Sequence, residues 1–157
     1  MKIDLKWDKP IRLKLKHGSR ANEIYRCPDL DHHSGKAGVY VFARKFGKNV
    51  APLYIGQASR LQSRLESQFN NLRLMMGVKN AHAGRRILLV ARLRLKRGQR
   101  MNKVLDVVES ALIKHSLAQG HDLLNQQGTK TSVHIIKSKG NISSRQVAPL
   151  TMLAEKR

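Results

Sequence analysis

The sequence predicts an α+β fold, and three observations support this. The 157 residues suit one domain. Two β-rich segments, residues 38–46 and 50–56, surround a turn at Gly47-Lys48-Asn49, which predicts a hairpin. Residues 87–95 form a third apolar strand, and helical periodicity both precedes and follows it.

The chain divides into three segments of one compact domain. Residues 1–36 hold basic strands and a loop, residues 37–128 form the core, and residues 129–157 form a basic C-terminal tail. The tail has one alternating piece at residues 132–137 and is otherwise weakly patterned. In the first segment apolar and cationic residues alternate along Ile11, Arg12, Leu13, Lys14, Leu15 and Lys16. A period of two predicts a strand with one apolar and one cationic face. That cationic face suits a charge-guarded edge strand, a surface for phosphates, or both.

The hairpin has a predicted orientation. Period-two alternation places Tyr40 and Tyr54 on one side of the sheet and four aliphatic residues on the other, namely Val39, Val41, Leu53 and Ile55. Pro52 marks a bulge or an unpaired edge position, because proline cannot donate a backbone hydrogen bond.

Two helices are predicted. Ser59 and Gln62 fit a capping box, and one helix then continues through Leu61, Leu65, Phe69, Leu72 and Met76. A second helix is expected from Asn102, as its cap, to a stop at Gly120. Its buried stripe is predicted to comprise Val104, Leu105, Val108, Ala111, Leu112 and His115.

Charge is the strongest global signal in the composition. Lys and Arg number 31 against 10 Asp and Glu, a formal charge of +21. Such an excess favours a polyanionic partner, most often nucleic acid, over an anionic membrane surface or a ribosomal-type structural role. The residues expected to contact phosphates are Arg12, Lys14, Lys16, Arg60, Arg92, Arg94, Arg97 and Arg100.

Several protein classes are disfavoured. Cys27 is the only cysteine, so an intrachain disulfide and a cysteine-rich zinc site are both excluded. Neither a signal-peptide core nor an apolar run of about 18 residues is present in the sequence. We therefore expect a cytoplasmic protein that does not span a membrane.

Glu109 is the acidic residue that most needs an explanation. One helical turn away lie Asp106 and the apolar residues Leu105, Leu112 and Ile113. A carboxylate in such surroundings must be paired, neutral or bound to a metal. A structural pair with one of the many arginines is the simplest alternative to a functional role.

An ordered set of motifs runs through the core. It begins with Gly38-Val39-Tyr40 and Tyr54-Ile55-Gly56, and continues with Arg64 between two leucines. It ends with Glu109 in a later helix and Asn125 soon after it. Over residues 38–125 this set resembles the GIY-YIG nuclease family.

The resemblance implies a fold in which helices flank a small antiparallel sheet of three strands. It also implies an endonuclease that hydrolyses phosphodiester bonds in DNA with Mg²⁺ or Mn²⁺. Glu109 would hold the metal ion, and Arg64 would bind the scissile phosphate and stabilise its developing charge. Tyr40 would help to activate the attacking water, Tyr54 would position or assist it, and Asn125 would support the site. The composition itself does not distinguish DNA from RNA.

Two residues depart from the family pattern. Gln57 stands where many members have lysine, and Gln68 stands where many have histidine or tyrosine. Glutamine is neither a base nor a cation, so the helper of a tyrosine base is left open. The candidates are His32, His33, Lys45, Lys48 and Arg60. The departures also keep open a second hypothesis, a non-catalytic nucleic-acid-binding protein on the same scaffold.

Overall fold

A computed structural model describes residues 2–16, 24–125, 133–148 and 151–155. Its strands are β1 (Asp4–Trp7), β2 (Ile11–Arg12), β3 (Gly38–Phe46), β4 (Asn49–Ala58), β5 (Arg85–Arg94), β6 (Val133–Lys137) and β7 (Thr151–Glu155). Its α-helices are α1 (Leu61–Phe69), α2 (Leu72–Asn80), α3 (Met101–Ala118) and α4 (Ile142–Val147), and a short 3₁₀ helix covers Asp31–His33.

The main sheet is antiparallel, with the order β1-β5-β3-β4 and with β2 also paired to β5. The predicted α+β class is confirmed. The sheet has five strands rather than three, because the N-terminal strands join the edge of β5. Only Ile11 and Arg12 of the alternating N-terminal segment form a strand, while Leu15 makes an isolated bridge with Tyr25.

A bulge in β4 changes which side chains share a face. The register shifts between Phe42 and Ala43, which face Tyr54 and Pro52, so Leu53 is the extra residue. Leu53 then packs in the same core cluster as Phe42, whereas Ile55 packs on the opposite face. The expectation that Leu53 and Ile55 share a face is wrong. Of the two alternatives for Pro52, a bulge or an unpaired edge position, the structure has a bulge beside it.

Strand β3 is buried on both faces, as a central strand covered by helices must be. Tyr40 and Phe42 belong to the cluster that includes side chains of α1 and α2. Val39 packs with Val104 and Val108 of α3 on the other face. The tyrosine side of the hairpin is therefore part of the core.

The predicted long helix is broken into α1 and α2. The side chain of Asn71 accepts a hydrogen bond from the Leu74 backbone N–H at 3.1 Å and so caps α2. The change in direction leaves Leu72 exposed, contrary to the predicted apolar stripe. The capping box at Ser59 is also wrong: α1 begins after Arg60 with no side-chain cap, and Gln62 donates instead to Asp31.

Helix α3 agrees with its prediction at one end only. It stops before Gly120, whose φ of 82° is a left-handed conformation that glycine adopts readily. Asn102 lies inside the helix and is not its cap. Ala111 and His115 are exposed, and the buried stripe continues instead through Ile113, Ser116 and Leu117.

Part of the expected basic tail is regularly folded. Strands β6 and β7 form an antiparallel pair, with α4 between them in the chain, and both contact α3. Strand β6 agrees with the alternation expected at residues 132–137, whereas the expectation of a weakly patterned tail is wrong for α4 and β7. Among the described residues, we find no helix whose length and apolar character would let it cross a membrane.

Candidate active site

The two motif tyrosines lie side by side on neighbouring strands. The rings of Tyr40 and Tyr54 stack at 6.2 Å with an interplanar angle of 24°. Gln68 of α1 points its amide between them and donates to the Tyr40 hydroxyl at 2.6 Å, with the Tyr54 hydroxyl at 3.4 Å. One of the two departures from the family pattern is thus a direct partner of Tyr40.

Both motif glycines are required by close packing. A Cβ on Gly56 would lie 2.4 Å from Cζ and Oη of Tyr40, inside the ring's own space. A Cβ on Gly38 would lie 1.9 Å from the backbone oxygen of Ala91 on β5. Gly38 therefore lets β3 and β5 meet closely, and Gly56 makes room for Tyr40, which lies opposite it.

Arg64 links the tyrosines to the acidic side of the site. The neighbouring Tyr40 hydroxyl raises the pKa of the Arg64 guanidinium, and the charge of Glu109 acts in the same direction. Arg64 is itself exposed, so its guanidinium stays accessible to a phosphate. The structure therefore brings Tyr40, Tyr54 and Arg64 together, with Glu109 within electrostatic range.

Glu109 is half-buried on α3 and has a neutral partner. Gln57 of β4 donates to Glu109 Oε2 at 3.1 Å and to Asp106 Oδ1 at 2.6 Å. Burial raises the pKa of Glu109, Gln57 lowers it, and the nearby Asp106 carboxylate raises it further. The simple arginine–glutamate pair considered from sequence gives way to an amide that bridges two carboxylates.

An open cavity of about 680 Å³ lies where α1 and α3 approach each other beyond the end of β4. Its lining is mostly polar: Gln57, Ala58, Ser59, Arg60, Ser63, Arg64, Ser67, Asn102, Leu105 and Asp106. The volume falls in the range of about 300–1,000 Å³ that is usual for ligand pockets. Asp106 was not predicted as a site residue, although its place one turn before Glu109 was the available signal.

Asn125 supports β4 from its open edge. Its amide donates to the Ile55 carbonyl at 2.6 Å, and its oxygen lies 3.5 Å from the Ile55 backbone N–H. The preceding Leu124 donates its backbone N–H to Leu53 at 2.7 Å. Asn125 therefore binds the strand between Tyr54 and Gly56 and holds their backbone in place, which agrees with a supporting role.

Most of the proposed helpers of Tyr40 lie elsewhere. Lys45 is five residues along β3, about 16 Å away at the usual rise per residue, and Lys48 lies in the turn beyond it. His33 is buried with its Nδ1 3.7 Å from Asp8. His32 is exposed beside it on the 3₁₀ helix, whereas Arg60 lines the cavity.

The predicted phosphate-contacting residues divide into two groups. Arg92 is half-buried and paired with Asp8 at 2.8 Å, so its charge is already satisfied within the protein. The others are exposed: Arg12, Lys14, Lys16, Arg60, Arg94, Arg97 and Arg100. Only Arg60 of these lines the cavity described above.

The described residues contain no group of three or more His, Cys, Asp or Glu side chains arranged to hold a metal ion. No protein-family model, curated protein or solved structure matches the chain. What the site can do is therefore inferred from its own side chains.

Proposed function

We propose that the protein is a divalent-metal-dependent endonuclease that hydrolyses phosphodiester bonds in DNA. One observation carries the proposal: Arg64 lines a polar cavity of about 680 Å³, and on the same cavity wall Gln57 binds the carboxylates of Asp106 and Glu109. An exposed arginine next to a half-buried carboxylate is an arrangement that suits a phosphate bridged to a cation. The formal charge of +21 supports a polyanionic substrate.

The donor set fits Mg²⁺ or Mn²⁺. Oxygens of Glu109 and Asp106 converge on the single amide nitrogen of Gln57, and carboxylate oxygens are the ligands that hard cations prefer. Glu109 would hold the ion, with Asp106 beside it and with water and phosphate oxygens as further ligands. When bound, the ion would neutralise charge on the phosphate and on the leaving oxygen.

The remaining roles follow from position. Arg64 would bind the scissile phosphate and stabilise the charge that develops on it, since guanidinium and phosphate match in geometry. Tyr54 is half-buried and lines a second hollow of about 370 Å³ with Arg73, so its ring lies beside an open surface. Asn125 would hold the strand that carries Tyr54.

A cleavage assay tests the proposal directly. Single-stranded DNA, double-stranded DNA and RNA are each incubated with Mg²⁺ or Mn²⁺, and then with a chelator. We expect cleavage of DNA only when the metal is present. Both Glu109→Gln and Arg64→Ala should remove most of this cleavage while salt-sensitive binding persists. Absence of metal-dependent cleavage with every substrate would refute the enzyme function.

A non-catalytic DNA-binding protein is the second candidate, and Gln57 is the observation that favours it. Its amide already satisfies both carboxylates, so metal binding requires Gln57 to turn away. Gln57→Ala separates the two candidates. In an enzyme, Gln57→Ala frees both carboxylates, so the protein binds Mn²⁺ more tightly and cleaves DNA. In a non-catalytic binding protein, the same substitution produces no cleavage.

A further inference from the structure

A group of cations lies at the end of the main sheet that is opposite the candidate active site. Lys45 near the end of β3 faces Arg85 at the start of β5, and Arg12 at the end of β2 faces Ile87 of β5. Cross-strand partners point to the same side of a sheet, and so do residues two positions apart in one strand, such as Arg85 and Ile87. The side chains of Lys45, Arg85 and Arg12 therefore project from one face of three neighbouring strands.

The charges of these three side chains are not compensated within the described part of the chain. All three are exposed, and none forms an ion pair with another described residue. Elsewhere in the protein, Arg92 and Lys96 each pair with an aspartate. Like charges directly opposite each other on neighbouring strands destabilise a sheet, as Lys45 and Arg85 do here. Such an arrangement favours an anion from outside the chain as its partner.

The same three side chains surround a hollow that has an apolar floor. Its volume is about 230 Å³, and its other lining residues are Pro10, Val50, Ile87 and Leu89. This volume lies below the range of about 300–1,000 Å³ that is usual for small-molecule ligands. The hollow therefore suits an extended anionic chain that lies across it, with phosphates at the cationic rim and a sugar or base against the floor.

The positive surface continues around the end of the sheet. Arg12 and Arg85 also line a second hollow of about 370 Å³, together with Lys79 and Arg86. Arg86 donates to backbone carbonyls, whereas Lys79 is exposed and has no ion pair among the described residues. Lys45, Arg85, Arg12 and Lys79 together form what we call the distal basic band. A band that spans two hollows offers more cations than a single phosphate group requires.

We propose that the distal basic band binds the phosphate backbone of the DNA substrate away from the cleaved bond. The proposal rests on the endonuclease function proposed above and adds a second contact with the same substrate. Lys45 lies five residues from Tyr40 along β3, about 16 Å at the usual rise per residue. One DNA strand advances by about 3.4 Å per nucleotide. The band therefore contacts phosphates that are at least about five nucleotides from the scissile one.

DNA binding in chelator tests the band without requiring activity. The band variant combines Arg12→Gln, Lys45→Gln and Arg85→Gln. The control variant combines Lys2→Gln, Lys6→Gln and Lys139→Gln, which removes the same charge from exposed residues outside both hollows. The affinity for a duplex of about 20 base pairs is measured by fluorescence anisotropy over a series of salt concentrations.

We expect the band variant to bind about 10- to 100-fold more weakly at about 0.1 M salt, with the slope of log K against log salt reduced by about 2–3. The control variant should lose less than about 3-fold. Equal weakening of both variants would show that net charge alone sets the affinity, and it would overturn the proposal. Vesicles that contain phosphatidylserine are the second probe. If the band variant loses vesicle binding and keeps wild-type DNA binding, the band belongs to a membrane surface and the proposal is wrong.

Thermal unfolding of the same variants distinguishes a binding role from a structural one. Removal of charges that repel one another should raise the melting temperature of the band variant at low salt, by about 1–3 °C. A lower melting temperature would show that the cations stabilise the fold, and it would count against the proposal. If the wild type binds the duplex but cleaves nothing with Mg²⁺ or Mn²⁺, the endonuclease function fails. The binding measurement alone then decides whether the band is a DNA-binding surface.

Discussion

Replacement of Gly56 by alanine tests whether the tyrosine site depends on the space that this glycine leaves. The added Cβ would lie 2.4 Å from Cζ and Oη of Tyr40, whereas ordinary contact begins at 3.4 Å. Tyr40 must therefore move by about 1 Å, beyond the small adjustments that a dense core accommodates. It is fully buried, with Phe42 at 6.0 Å and Tyr54 at 6.2 Å between ring centres, so a shift disturbs its neighbours too.

The expected loss of stability follows from this overlap. Overpacking a core destabilises by about 1–3 kcal/mol, which corresponds to a fall in melting temperature of roughly 2–12 °C for a chain of this size. The same shift carries the Tyr40 hydroxyl away from its hydrogen-bond partner Gln68. We expect kcat to fall by on the order of 100-fold, the usual effect of a 1 Å misplacement.

The assay combines thermal unfolding with DNA cleavage, and Gly77→Ala is the control. A Cβ on Gly77 meets only the side chain of Leu124, at 3.1 Å, and Leu124 is 46% exposed and can move. Alanine also favours a helix over glycine by up to about 1 kcal/mol, so this variant should melt at or above the wild-type temperature. Wild-type stability and rate in Gly56→Ala would refute the packing argument. A loss of stability with an unchanged kcat would refute the link between Tyr40 and catalysis.

Three further predictions concern stability. Burial raises the pKa of Glu109, so its negative charge destabilises the metal-free fold above that pKa. In the presence of a chelator, Glu109→Gln should therefore raise the melting temperature, by roughly 2–4 °C for each kcal/mol of destabilisation that it removes. A lower melting temperature would contradict this. Burial lowers the pKa of His33, although Asp8 opposes this. The contribution of neutral His33 to folding stability is therefore complete above its pKa in the unfolded chain, about 6.5, and is lost as the pH falls below that value. The free energy of unfolding is measured in urea at several pH values for wild type and His33→Asn. Its slopes against pH should differ by at most about 1.4 kcal/mol per pH unit, and equal slopes would exclude His33 as the source of the pH dependence. Arg86 donates to the carbonyls of Val78 and Lys79 in the last turn of α2 and to those of Ala81 and Gly84 after it. Arg86→Lys should therefore lower the free energy of unfolding in urea by about 2 kcal/mol, with the exposed Arg85→Lys as a neutral control.

Local patterns predicted the parts of the fold that depend on neighbours in the chain. The hairpin of β3 and β4 follows from alternation around a glycine turn, and the end of α3 follows from Gly120. The break between α1 and α2 was missed, because apolar spacing continues through it. The side chain of Asn71 ends the helical pattern because it accepts the Leu74 N–H and caps a new helix, α2. That cap forms only when α2 changes direction relative to α1.

The bulge beside Pro52 shows a second limit. The sequence allows a bulge or an unpaired edge position at Pro52, and it does not indicate which residue would become the extra one. Pairing with β3 decides that this residue is Leu53, which then packs with the tyrosines and not with Ile55. Register depends on contacts between strands, so alternation within one strand cannot settle it.

The candidate site divides in the same way. By itself the sequence determined the ordered motifs, the basic charge and the need of Glu109 for a partner. Only the tertiary structure decided that this partner is Gln57, that Asp106 shares it, and that Gln68 anchors Tyr40. These contacts join residues of separate elements, at separations such as 52 and 28 along the chain, and hydrogen bonds act over about 3 Å. No periodicity within one segment encodes such an approach, which exists only after the sheet has brought α1 and α3 to the end of β4.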